Sequence, residues 1–112
     1  MKKTRDWSKE NKVIFYRIRN IFDTANKNVY IGSTTNWSVR KYQHKLRCNS
    51  PDDRGYNYPV YKYIRGQGGF QNFIMERLEE RVCRTANECN SRELYLIELY
   101  NAKLNTLKPL EH

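Results

Sequence analysis

Asn28-Val29-Tyr30-Ile31-Gly32-Ser33, read with Ile14-Phe15-Tyr16-Arg17-Ile18-Arg19-Asn20 upstream, decides how this chain folds. Both runs are short and rich in aromatic and β-branched residues, and Asp23 to Asn28 between them are turn formers, a pattern that predicts a β-hairpin. Side chains alternate across a sheet. Tyr16 and Ile18 therefore share one face, Phe15 and Arg17 the other, and Tyr30 pairs with Gly32 in the same sense. Alternation alone does not say which face is wet. Gly32 carries no side chain, so something can approach the backbone closely where the second strand ends and a helix begins.

Working outward, Thr35 or Asn36 can cap a helix from about Trp37 through Arg47. Arg40, His44 and Arg47 fall at i, i+4 and i+7 and form one stripe, while Trp37, Val39, Tyr42 and Leu46 cover other arcs. Asn49 to Asn57 is a loop by composition, long enough to be functional or mobile. Pro59 suits the first turn of a short helix, Val60 to Arg65, ended by Gly66-Gln67-Gly68-Gly69. A third strand is expected from Phe73 to Leu78. Thr85-Ala86-Asn87-Glu88 has the spacing of a capping box and opens a helix reaching about Tyr100. Asn101 to Pro109 then returns as an extended tail, and the first dozen residues form a polar arm pinned by Trp7. The order β-β-α-α-β-α gives an α+β domain, a three-stranded, mainly antiparallel sheet with helices laid against it.

At 112 residues the chain fits one domain with one modest core. We expect that domain to span residues 1–109, with Leu110-Glu111-His112 reading as the start of an expression tag. No apolar run nears the roughly 20 residues that span a bilayer, and Met1 to Asp6 is not followed by a signal-peptide core, so an intracellular, soluble protein is expected. A net charge of +9, from 21 Lys and Arg against 12 Asp and Glu, favours a polyanionic partner, nucleic acid first. The alternative is a basic surface that only confers solubility. Basic residues are spread along the chain, which speaks against an amphipathic membrane helix. Cys48, Cys83 and Cys89 are odd in number and contain no Cys-x-x-Cys pair, which disfavours a disulfide framework. A zinc site from His44, Cys48, Cys83 and Cys89 is conceivable, but Cys83-x5-Cys89 is wider than finger spacing, and buried thiols are the better reading.

Tyr30-Ile31-Gly32 resembles the YIG half of the GIY-YIG nuclease motif, and Ile14-Phe15-Tyr16 resembles its GIY half with isoleucine in place of glycine. The likeness continues through Arg40 and His44, Arg92-Glu93 and Asn105, in the order shown by nuclease domains of intron-encoded homing endonucleases. The hairpin connection is slightly longer than usual for them. The resemblance implies a DNA endonuclease that hydrolyses phosphodiester bonds with one divalent metal, Mg²⁺ or Mn²⁺. It makes Glu93 the sole protein metal ligand and Tyr16 the group that takes a proton from the attacking water. A phenol is a poor base at neutral pH unless nearby cations, the metal, Arg40 or His44, stabilise phenolate. Tyr30 would orient the water or a phosphate, and Arg40 would grip the scissile phosphate with its planar, always charged fork.

His44 could bond a phosphate or protonate the leaving group. Lys41 and Arg47 would add contacts to DNA, Gly32 would shape the site, and Asn105 would fix the tail. The competing reading for the two tyrosines is core packing, for Arg40 and His44 a solvated helix face, and for Glu93 a surface carboxylate beside Arg92. Related enzymes gain specificity from an attached DNA-binding domain, so a homodimer or a separate specificity partner is a further expectation. Two other functions stay open: a catalytically degenerate nucleic-acid binder, which metal-dependent nicking separates from an enzyme, and a module for an acidic protein, which would show no salt-sensitive DNA binding.

Overall fold

The hairpin forms where alternation places it. In the computed structural model, which describes residues 5–105, β1 is Asn11–Asn20 and β2 is Tyr30–Thr34. They pair antiparallel with Tyr16 opposite Gly32 and Ile18 opposite Tyr30. In the connection Asp23 accepts bonds from the backbone N–H groups of Ala25 and Lys27, and Asn26 takes a left-handed φ of 51° that asparagine tolerates. α1 (Trp37–Asn49) follows, its N-terminus capped by Asn36, whose side chain accepts from the Val39 N–H at 3.2 Å. α2 is Pro59–Gly66, with proline in the first turn. β3 is Phe73–Cys83 and α3 is Ala86–Leu99. Thr85 caps α3 by accepting from the Glu88 N–H, and Glu88 reaches back to the Arg84 N–H. The fold is α+β with the expected order β-β-α-α-β-α, and its sheet is fully antiparallel in the order β2-β1-β3.

Three boundaries differ from expectation, one of them with consequences for packing. β1 begins inside the expected arm, at Asn11, and α1 runs two residues beyond Arg47. β3 does not stop at Leu78. Phe15 lies opposite Glu79 while Tyr16 lies opposite Arg77, so Leu78 is an extra residue in β3. A bulge of this kind breaks the period of two, and the alternation read from the sequence ends where the strand in fact continues. It also turns the far half of β3 so that Cys83 faces α3.

The sheet is covered on both sides. Tyr16 and Ile18 pack with Cys48, Val60, Tyr61 and Ile64 of α1 and α2 on one face. On the other, Val13, Phe15, Val29 and Ile31 pack with Cys89 and Leu96 of α3, and Trp7 joins them as the pin of the arm. Leu96 and Ile97 seat α3 against this cluster, while Leu94 is exposed. All three cysteines are buried and free. Cys48 lies on one side of the sheet and Cys83 and Cys89 on the other, which rules out the zinc site. Among the described residues no helix is long and apolar enough to cross a membrane. Residues 1–4 and 106–112, with the expected tag remnant and the end of the expected tail, lie outside the described part.

Candidate active site

Gly32 leaves room for Tyr16. The tyrosine ring lies directly over it across the strand pair, and a Cβ at position 32 would come 2.5 Å from the ring carbon that bears the hydroxyl. The approach expected at this glycine is thus made by a side chain of the neighbouring strand. From there the Tyr16 hydroxyl sits 2.7 Å from His44 Nε2, and His44 Nδ1 sits 2.7 Å from the Tyr61 hydroxyl on α2. Tyr16 and His44 are completely buried and Tyr61 nearly so. Trp37 and Tyr30 wall in these rings with edge-on contacts: Trp37 to Tyr16 at 5.7 Å and Tyr30 to His44 at 5.6 Å between centroids. Arg40 Nε donates to the Tyr16 oxygen at 3.3 Å.

This geometry changes two expectations. His44 does not line the cleft with Arg40 and Arg47, the other members of its stripe, where it was expected to meet a phosphate. Both its ring nitrogens are engaged by tyrosines inside the protein, which leaves neither for a phosphate. Burial, reinforced by Arg40 and Arg47, lowers its pKa to about 3, so the imidazole is neutral at physiological pH. Nor do cations stabilise a Tyr16 phenolate in the free protein. Burial pushes the phenol up, Tyr30 adds to the rise, and Arg40 only partly opposes it. Burial raises Tyr30 as well.

A cleft of about 180 Å³ opens at the β2 edge, lined by Tyr30, Arg40, Arg47, Tyr58, Tyr61, Glu93 and neighbours. Tyr16 lies behind this wall. Lys41 is exposed on α1 and is not part of the lining. Glu93 enters from α3, around the opposite face of the sheet. Its carboxylate accepts a bond from the Ser33 hydroxyl at 2.8 Å, and among the described residues it has no ion-pair partner. Arg92, the neighbour that would make Glu93 an ordinary surface residue, pairs instead with Glu79 and lies over Tyr95. Burial raises Glu93, with Ser33, Arg5 and Arg40 opposing.

A half-buried carboxylate with spare oxygen capacity, in a cleft open to water, fits a hard cation that keeps most of its own waters. No cluster of three His, Cys, Asp or Glu side chains occurs among the described residues, so a site here would rest on Glu93 and water. Asn105 closes the outer edge of β2: its amide accepts from the Ile31 N–H and donates to the Ile31 carbonyl, both at 2.8 Å.

Sequence reasoning missed three residues. Tyr61 was one of nine tyrosines with nothing local to set it apart. Ser33 directly follows the glycine and could have been read as a neighbour of any group approaching there. Arg5, from the arm, donates to the Ser33 hydroxyl at 3.2 Å and to Cys89 Sγ at 3.0 Å, a contact no spacing announces. A comparison with curated proteins and another with solved structures return no match. The family model described as the GIY-YIG catalytic domain matches residues 12–107, nearly the whole chain and every residue of the cleft named above. The chain is a member of the GIY-YIG family of nuclease domains.

Proposed function

We propose that this chain is a DNA endonuclease that hydrolyses phosphodiester bonds with one divalent ion, Mg²⁺ or Mn²⁺, held by Glu93 and water. The observation that carries the reading is the meeting of Arg40, Tyr30 and Glu93 in one cleft, with the Tyr16 hydroxyl bonded to Arg40 just behind it. The cleft is smaller than the roughly 300–1,000 Å³ of pockets that enclose a whole small molecule, and suits one phosphate of a long chain. The +9 charge draws such a chain in.

Bound, the ion would polarise the phosphate and offset charge on the leaving oxygen. The protein's own residues do the rest. Arg40 exchanges its bond to Tyr16 for the phosphate, where its fork holds the oxygens and stabilises the charge that builds in the transition state. That exchange uncovers the Tyr16 hydroxyl. The attacking water passes a proton to the Tyr16 oxygen as the Tyr16 proton moves to neutral His44, and Tyr30 orients the water from the cleft wall.

Ile14, in place of the motif glycine, does not count against activity. It occupies a regular strand position opposite Thr34 and Glu80, and Tyr16 still reaches Gly32 two residues later. Nicking of supercoiled plasmid with Mg²⁺, with Mn²⁺ and with chelator tests the proposal. Metal-dependent conversion to open circles is expected, and salt-sensitive binding without nicking would assign the chain to a degenerate binder.

A further inference from the structure

Between them, the three buried groups Tyr16, His44 and Tyr61 form an uninterrupted hydrogen-bonded line with 2.7 Å at each junction. A neutral imidazole donates from one nitrogen and accepts at the other, so the line has one direction at a time. In the free protein one end, Tyr16, is buried beneath Arg40, which must leave it before water can reach it, and the other, Tyr61, belongs to the wall of the cleft. We propose that Tyr61 is a positioning residue that holds His44 in its Nδ1-protonated tautomer and carries the proton released by Tyr16 out to the cleft, an inference that rests on reading Tyr16 as the base.

The protons balance. As Tyr16 takes a proton from the attacking water, its own O–H bond breaks and an Nε2–H bond forms on His44. The Nδ1–H bond breaks, its proton joins the Tyr61 oxygen, and the proton Tyr61 held leaves to a water in the cleft. Each of the three groups ends neutral with one proton, and the net transfer is from the attacking water to solvent. The same bonds run in reverse restore the first tautomer once product has left.

The alternative, in which His44 stores the proton as an imidazolium, is opposed on every side. Arg40 and Arg47 of its own helix lie near it, and the groups facing it from the sheet and α2 are the tyrosines Tyr16, Tyr30 and Tyr61, with no carboxylate in hydrogen-bond contact to compensate a positive ring. A residue boxed in this way passes a proton on instead of keeping it. Tyr61 also has no other side chain in hydrogen-bond contact, among the described residues, to explain the placement of its hydroxyl.

The test has a spectroscopic and a kinetic arm. The chain has only two histidines, so ¹⁵N NMR of the labelled protein, with His44→Gln for assignment, reads the tautomer directly. Wild type should show His44 protonated at Nδ1, and Tyr61→Phe should shift it toward Nε2. In single-turnover plasmid nicking with Mg²⁺, Tyr61→Phe should be slower by about tenfold or more, while Tyr16→Phe loses about 10²–10⁴.

Wild-type His44 protonated at Nε2 overturns the inference whether or not Tyr61→Phe folds. So does a Tyr61→Phe variant that nicks at the wild-type rate while Tyr16→Phe is dead. Full activity of Tyr16→Phe brings down the reading of Tyr16 as the base, and the relay falls with it.

Discussion

The two faces of the sheet contribute to the cleft in opposite ways. On the α1 and α2 side, Tyr16, His44 and Tyr61 are sealed in, bonded to one another and walled by rings. On the α3 side there is one carboxylate, partly open to solvent and held by a single serine hydroxyl. Polar groups that must keep one arrangement are fixed by burial, because an unmade bond there costs far more than in water. A group proposed to take up an ion from water has to stay accessible. The edge strand β2 joins the halves, since Tyr30 and Gly32 face one side and Ile31 and Ser33 the other.

The comparison breaks first at Glu93. Glu93→Ala should remove metal-dependent nicking below detection while thermal stability and DNA binding stay near wild type, as the side chain gives up only one bond to Ser33. Nicking at the wild-type rate would take Glu93 out of the site. Next is Arg40→Ala, which should lower the single-turnover rate by about 10²–10³, the scale of one lost preorganised donor to a developing oxyanion. An unchanged rate leaves Arg40 as a cover over Tyr16 and nothing more.

Gly32→Ala probes the sealed face. The added methyl must displace the Tyr16 ring, which is fixed at its far end by His44, so a loss of roughly 1–3 kcal/mol is expected in denaturant unfolding. Wild-type stability would mean that the ring moves freely.

The last test is of pH, where the effect is spread over several units. His44 has its pKa lowered to about 3 in the fold against an ordinary value of 6.5. Between those values the unfolded chain binds a proton that the folded one refuses. Stability is therefore greatest above pH 6.5 and falls as pH drops toward 3, by at most about 1.4 kcal/mol per pH unit from this residue. His44→Gln should flatten that part of the stability profile. An equal slope in both proteins would show that other groups set it.

How much of this could be read from the chain depended on how local the signal was. The hairpin, the caps at Asn36 and Thr85 and the element order follow from residues within a few positions of one another. β3 was cut short because the bulge at Leu78 interrupts the only signal available, the alternation itself. The stripe of Arg40, His44 and Arg47 was a correct statement about one helix face. It could not show that the stripe passes from cleft to core within one turn, since burial is set by which elements pack on that face. Tyr61 and Arg5 reach the site through tertiary contacts alone, and no spacing along the sequence encodes those.

One last consequence follows from Asn105. β2 is an edge strand, and the outward backbone groups of Ile31 would otherwise be free to pair with a strand of another molecule. The Asn105 amide supplies the donor and acceptor that such a strand would bring, and the Leu104 N–H does the same for the Val29 carbonyl. Two residues of the chain's own tail thus act as a stub of fourth strand. The sheet stops growing beside the cleft, because there its edge is bonded to the chain's own tail.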